Sequence, residues 1–395
     1  MNATLAEPQV ISLGCRLNLA ESERIRGILA GERDVVVVNS CAVTGEAVRQ
    51  TRQAIRRARR AHPDARLLVT GCAAEIERAQ IAAMPEVDGL VANSAKLDPR
   101  AWNTAPAARA ETTLHTRAFV AVQNGCDHAC TFCVIPQGRG PSRSLTIEQV
   151  LREVETHLAQ NAAEVVLTGV DVTSWGTDLA DRPLLGTLVL AILDRFPELR
   201  RLRMSSLDGV EIDPLLLELF ASEPRLMPHL HLSLQHGHDL ILKRMKRRHS
   251  RRDAVDLIAN LRTRRRDLAV GADLIAGFPT ESEEHHAANL SIVHELGIVH
   301  GHVFPYSPRP GTPAARMPQV AHGEIKRRAA ELRTAVAASR NAWLAALVGK
   351  PLEILAESDG TGYSPEFARV QLPSSTPRGA IVTVTPGTVD KGLLQ

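Results

Sequence analysis

The sequence predicts an α/β protein in three parts: an N-terminal parallel-sheet βα domain, a central six-strand partial (βα) barrel and a small C-terminal β-barrel. Three observations carry that expectation. Three β-prone runs in the first third each end at a cysteine and lead into a helical pattern, and strands alternating with helical patterns fill the middle. Gly- and Pro-punctuated β-prone sequence takes over from Pro351. With 395 residues, 44% of them hydrophobic, the chain can build cores for two or three domains. The expected boundaries are 1–106, 112–345 and 346–395.

In the first part, QVISLGC, DVVVVNSC and ARLLVTGC put Cys15, Cys41 and Cys72 at the ends of three strands. Helical patterns follow at Leu17 to Leu29, Ala47 to Ala61 and Ala74 to Met84. The cysteine spacings of 26 and 31 suit βα units of about 30 residues. Right-handed crossovers make such strands parallel, which gathers the three cysteines at one carboxyl edge, where ligands collect in open α/β folds. A single cysteine there is ordinarily just a small buried residue. Three at the same structural position point to a shared ligand role.

In the middle part, strands are expected at Phe119 to Gly125, Glu164 to Val172, Leu199 to Ser206, His229 to Gln235, Val270 to Pro279 and Gly301 to Ser307. The first runs into CDHACTFC, so Cys126, Cys130 and Cys133 lie in a loop leaving a strand. A structural zinc site needs four ligands, and the nearby His128 sits between the cysteines rather than at a usual pair spacing. An iron-sulfur cluster on three cysteines instead leaves one iron open to a cofactor. Reactive groups of βα barrels sit at the strands' carboxyl ends. Thr168, Gly169, Asp171, Ser205, Ser206, Ser233, Gln235, Asp273 and Tyr306 are therefore candidates to line a cofactor and substrate cavity. Such polar strand-end residues also serve as caps and turn formers.

The tail follows a proline-marked loop, Pro305 to Pro318, and a helical stretch, Glu324 to Leu347. PLEILAES, GYSPEFARVQL and GAIVTVTPGTV then suggest a small antiparallel barrel. The longest apolar run, near Leu184 to Leu193, is half the ~20 residues of a membrane span, and Met1 to Val10 lacks a signal-peptide pattern. The cytoplasm is the expected compartment, with no membrane partner. There thiols serve as metal ligands or catalytic groups more often than as disulfides. The net charge of +3 identifies no polyanionic partner, so a nucleic-acid surface has to be local. Arg49 to Arg66 and Lys243 to Asp253 each hold seven basic residues and one acid. These segments suit phosphates or simply a solvated face.

The CxxxCxxC loop resembles that of the radical S-adenosylmethionine superfamily, in which the amino acid moiety of the cofactor chelates the open iron and is cleaved to a 5′-deoxyadenosyl radical. Two three-cysteine sets together resemble the methylthiotransferases. The matching stretches are SLGCRLN, NSCAVT, VTGCAAE, CDHACTFCVIPQGRGPSRS, VVLTGV, HLHLSLQ, LKRM, GADLIAGFP and FPYSPRPGTPA. The resemblance spans nearly the whole chain. It implies two 4Fe-4S clusters, on Cys15, Cys41 and Cys72 and on Cys126, Cys130 and Cys133, with S-adenosyl-L-methionine as cofactor. Two molecules of it are used per product.

Thr168, Gly169, Asp171, Ser205, Ser233, Gln235 and Asp273 are the expected cofactor-binding residues, and no side chain beyond the cluster ligands is assigned to catalysis. The resemblance also implies a radical-type partial barrel, an RNA-binding TRAM domain at the tail, a tRNA substrate read at its anticodon stem-loop and a reductant such as flavodoxin or ferredoxin. LTGV and FPYSPRPGTPA are most similar to the subgroup acting on N6-threonylcarbamoyladenosine in tRNA. Isopentenyladenosine in tRNA and a ribosomal-protein aspartate are the family's other substrates. The chain departs from the family pattern at Asp171, Asp208, Gly209, His236 and His238. With aromatic content of 3%, RNA recognition would rest on backbone charge and pocket contacts, with one nucleotide extruded into the cavity. A zinc-stabilised RNA-binding protein without catalysis is the alternative from another class.

Overall fold

The computed structural model describes Leu5, residues 7–104 and residues 116–395; the expected boundaries at 106 and 112 lie outside them. The chain forms two compact units. One comprises the chain before the barrel together with Asn124–Arg143 and Ser307–Pro313. The other comprises the barrel strands, Ser144–Tyr306, and Ala314–Gln395.

The first unit holds a parallel sheet in the order β1 (Gln9–Ser12), β2 (Val35–Ser40), β3 (Arg66–Gly71) and β4 (Gly89–Leu90). β2 is apolar at four successive positions because both of its faces are covered. Val36 and Val38 pack with Ile55 of one helix, and Val35 and Val37 with Ile25 and Leu29 of another. These helices are α1 (Arg16–Ile28) and α2 (Gly45–Ala61), close to their expected spans. The expected third helix, Ala74 to Met84, is instead two short ones, α3 (Cys72–Ile76) and α4 (Arg78–Ala82). Glu77 between them leaves helical geometry at φ −114°, ψ 39°. The two-residue β4 is too short to register as a strand pattern in the sequence.

The barrel strands of the second unit are β5 (Arg117–Ala121), β6 (Glu164–Thr168), β7 (Leu202–Met204), β8 (His229–Gln235), β9 (Ala269–Ala276) and β10 (Ile298–Pro305). They form two three-stranded parallel sheets, β5-β6-β7 and β8-β9-β10. Leu207 joins the two: its N–H donates to His231 O and its carbonyl accepts from Ser233 N–H, each at 2.8 Å. Period-two alternation sends Val165, Leu167, Leu202, Met204, Leu230, Leu232, Leu234, Val270, Ala272 and Leu274 into one large apolar core. Arg203, His231, Ser233 and Asp273 fall on the opposite face, which is the barrel interior. Five of the six strands are shorter than the apolar runs or shifted along them; His229–Gln235 coincides.

The helix His322–Ala345 precedes the tail, β11 (Leu352–Ala356), β12 (Thr361–Tyr363), β13 (Arg369–Gln371), β14 (Ile381–Val384), β15 (Val389–Asp390) and β16 (Leu393–Leu394). These form one sheet in the order β14-β11-β12-β13-β16-β15, antiparallel except where β13 meets β16. No pairing closes its edge strands into a barrel among the described residues. The sheet covers the amino ends of the barrel strands. Arg201 donates to Tyr363 O and Glu353 O (3.0 and 2.9 Å), Arg203 to Pro365 O (3.0 Å), and Arg117 to Glu357 (3.0 Å). No helix among the described residues is long and apolar enough to cross a membrane.

Candidate functional site

All six cysteines fall in the first unit, and none of them is in a disulfide. β1, β2 and β3 deliver Cys15, Cys41 and Cys72 to one edge of the sheet, because parallel strands bring all their carboxyl ends to the same side. Cys41 and Cys72 are buried and Cys15 is exposed. Two glycines make the close approach possible. Gly14, at φ +93°, lies so near Cys41 that a Cβ there would be 2.6 Å from its Sγ. Gly71, also at φ +93°, would put a Cβ 2.4 Å from Ser40 O. Ser40 Oγ accepts from Ala73 N–H and Ala74 N–H, both 3.1 Å, and so anchors the helix start that carries Cys72. Burial pushes the Cys41 thiol up to about 11 and raises Cys72 as well, while Arg139 and, for Cys72, Lys96 act in the opposite direction. A metal that keeps these sulfurs as thiolates fits such a pocket.

Cys126, Cys130 and Cys133 lie on one loop. Gly125 opens it at φ +79°, where a Cβ would sit 1.9 Å from Pro141 O, and Cys126 N–H donates to Gly140 O at 3.1 Å. Backbone N–H groups point at sulfur: His128 N–H at Cys126 Sγ and Ile135 N–H at Cys133 Sγ, each 3.4 Å. Thiolates that accept backbone N–H bonds in a tight loop are the donor set of an iron-sulfur cluster.

In the second unit, the expected cofactor-binding residues separate into distinct environments. Thr168 and Gly169 follow directly at the end of β6. Gly169 has no room for a Cβ, 2.8 Å from Gln123 O, and Gln123 Oε1 accepts from Val170 N–H and Asp171 N–H (3.1 and 2.9 Å). Asp171 accepts from Ser174 Oγ at 2.7 Å and so shapes its own turn. Ser205 carries a buried Oγ with no hydrogen-bond partner. Ser233 gives its carbonyl to Arg247 (2.8 Å), and Gln235 ends β8 in the left-handed region at φ +68°. Tyr306 Oη is also buried without a partner, and burial raises it to about 12.

Asp273 lies lower on the interior face, opposite His302 in register. His231 Nε2 and His302 Nδ1 both lie within reach of Asp273 Oδ1, at 3.1 and 3.0 Å. An ionised carboxylate can only accept, so each ring donates. The sequence reading missed these two histidines, although the alternation in HLHLSLQ and HGHVFP already put them on the interior face.

Two of the departures from the family pattern, Asp208 and His236, have ionic partners within the protein. Asp208 pairs with Arg247 at 2.7 Å and faces His249 at 3.5 Å. His236, fully buried, lies 3.4 Å from Glu281; burial holds its ring below the usual histidine value, against Glu281. The basic segments are largely paired as well. Arg49, Arg52, Arg56 and Arg59 meet Glu46, Glu77, Glu86 and Asp88. Arg247, Arg248, Arg251 and Arg252 meet Asp208, Glu211, Glu295 and Asp256.

The Radical SAM superfamily profile matches residues 120–290, and that of the Uncharacterized protein family UPF0004 matches residues 8–92. The chain is 40% identical to a threonylcarbamoyladenosine tRNA methylthiotransferase of Rickettsia prowazekii, over 98% of this chain and 96% of that protein. It is 32% identical to a tRNA-2-methylthio-N(6)-dimethylallyladenosine synthase of Acidothermus cellulolyticus, over 95% of this chain and 84% of that protein. Among solved structures it resembles the radical S-adenosylmethionine methyltransferase TsrM of Kitasatospora setae. The TM-score is 0.52 at 16% identity, covering 71% of this chain and 63% of that one, which speaks to fold alone.

Proposed function

The chain belongs to the radical S-adenosylmethionine methylthiotransferase family, and from that premise we propose that it methylthiolates C2 of N6-L-threonylcarbamoyladenosine beside the tRNA anticodon. The observation that carries the reading is the second cysteine set. Cys15, Cys41 and Cys72 come from three strand ends to one edge, in addition to the loop set Cys126, Cys130 and Cys133. A radical enzyme needs only the loop set, and a further thiolate site suits sulfur handling. The subgroup rests on identity, 40% against 32% for the relative whose name carries dimethylallyladenosine.

On this reading the protein holds two 4Fe-4S clusters and uses two S-adenosylmethionine molecules per product, with flavodoxin or ferredoxin as reductant in the cytoplasm. When bound, these groups supply a carbon radical able to take hydrogen from an unactivated aromatic C–H bond, which has no acidic proton for a general base. The chain's own residues bind and orient. Cys126, Cys130 and Cys133 hold the radical-forming cluster, and Cys15, Cys41 and Cys72 hold the one that delivers sulfur. Ser205 offers an unused hydroxyl to the cofactor, and Thr168, Gly169, Asp171, Ser233 and Gln235 complete its pocket. Asp273, fixed by His231 and His302, presents a rigid acceptor inside the barrel.

Reconstituted protein incubated anaerobically with reductant, S-adenosylmethionine and tRNA carrying threonylcarbamoyladenosine should yield 5′-deoxyadenosine and the 2-methylthio nucleoside. Turnover only on isopentenyladenosine tRNA would move the protein to the other subgroup. Bound zinc without iron or sulfide, and no 5′-deoxyadenosine, would make it an RNA-binding protein without this chemistry.

A further inference from the structure

Arg139 ends helix α5 (Ile135–Arg139), the first helix after the CxxxCxxC loop, and its side chain is 3% exposed. Both of its Nη groups are fully engaged by buried or half-buried partners. Nη1 donates to Glu21 Oε1 and Asn124 Oδ1, both at 2.8 Å, and Nη2 donates to Asn18 Oδ1 at 2.6 Å and Glu21 Oε2 at 3.0 Å. Lys96, 1% exposed, donates to the same Glu21 at 2.6 Å and to Asn39 Oδ1 at 3.3 Å. Asn18 in turn donates to Leu13 O at 2.6 Å and Ser40 O at 3.1 Å, the carbonyls that flank Gly14 and Cys41. Asn124 stands at the start of the other cysteine loop. Gly138, beside Arg139, lies against Cys72 so closely that a Cβ there would be 3.2 Å from the cysteine's own. One buried guanidinium is thus tied to the polypeptide on both sides of the six cysteines, all within one compact unit.

The charges do not balance. Glu21 is shared by two buried bases, so the trio carries one net positive charge, and an uncompensated buried charge is costly. A 4Fe-4S core with a 2+ charge, held by three thiolates, carries one net negative charge. Cluster potentials depend on such nearby charge.

We infer that Arg139 and Lys96 are positioning residues that supply the counter-charge of a cluster on Cys15, Cys41 and Cys72 and raise its reduction potential, Arg139 also clamping the radical-cluster segment to that site. The inference rests on the two-cluster reading above. A positive charge favours the more negative, reduced cluster, so removing it makes reduction harder.

The test uses the full chain, reconstituted anaerobically, with Cys126, Cys130 and Cys133 changed to Ala so that the remaining cluster alone gives the signal. In an EPR-monitored redox titration, Arg139→Gln should shift the potential negative and Glu21→Gln should shift it positive, whereas Arg139→Lys should stay near the parent. If Arg139→Gln fails to retain iron, Lys96→Gln, which leaves the Arg139 bridge standing, tests the same negative shift. An unmoved potential in the iron-loaded glutamine variant overturns the inference. Failure of the parent to bind iron at all, with Cys15, Cys41 and Cys72 intact, overturns the two-cluster reading instead.

Discussion

At the scale of single residues, the proposed cysteine roles predict different outcomes for the two sets. Cys130→Ala should abolish formation of 5′-deoxyadenosine, whereas Cys41→Ala should leave cleavage in place and stop sulfur insertion. Chromatographic assay of 5′-deoxyadenosine beside the methylthio nucleoside separates the two, and loss of cleavage in both variants would contradict separate roles. Ser205 gives a second residue-scale prediction. Its Oγ makes no bond within the protein, so Ser205→Ala should leave thermal stability unchanged while raising the KM for S-adenosylmethionine about fivefold, the worth of one hydrogen bond of about 1 kcal/mol. Unchanged steady-state KM would remove Ser205 from the pocket.

Asp273 adds a pH dependence. Burial opposes its ionisation, but hydrogen bonds from His231 and His302 outweigh that and hold the carboxyl well below the usual carboxylate range. A carboxyl lowered on folding contributes stability that is fully present above its unfolded value, about 4, and is lost as the pH falls through the folded value. Asp273→Asn should therefore cost about 1–3 kcal/mol at neutral pH. The gap should narrow in denaturant titrations below about pH 4. A gap independent of pH would contradict the carboxylate's ionised role.

At the scale of elements, the cysteine loop depends on how its first residue meets its last. Gly125 combines φ +79° with a Cβ position blocked by the Pro141 carbonyl, so Gly125→Ala adds backbone strain of about 1–3 kcal/mol to a direct clash. Iron analysis should then show loss of the loop cluster before loss of the N-terminal one; equal occupancy of both would show that the loop tolerates the change. This element was legible in the sequence because cysteine spacing and a glycine at a strand end are local signals. The same holds for β1, β2, β3 and the helices after the first two. The break at Glu77 was not legible, since Ala74 to Met84 has unbroken helical composition and the interruption depends on packing. Nor was the clamp between Arg139 and Glu21, whose partners are 118 residues apart in sequence. Asp273 was found as a polar strand residue, but its histidine partners become visible only when β8, β9 and β10 are set in register.

At the scale of the whole molecule, composition alone left the arginine-rich stretches ambiguous between phosphate contact and solvated surface. The ion pairs narrow that choice. In α2, Arg52 and Arg59 are committed to Glu77 and Asp88, while Arg57 and Arg60 are exposed. If α2 meets tRNA, Arg57→Gln and Arg60→Gln together should weaken binding and lower the slope of log affinity against log salt by about 2, one per lost phosphate contact. Filter binding across a salt series measures this, and an unchanged slope would assign the helix to solvent.

The sheet covers the amino ends of the barrel strands and leaves clear their carboxyl ends, where βα barrels generally carry their reactive groups. Mass spectrometry of tRNA nucleosides from a strain lacking this chain should show 2-methylthio-threonylcarbamoyladenosine replaced by its unmodified parent, restored by the wild-type chain but not by Cys41→Ala. An unchanged level of that methylthiolated nucleoside would contradict the account.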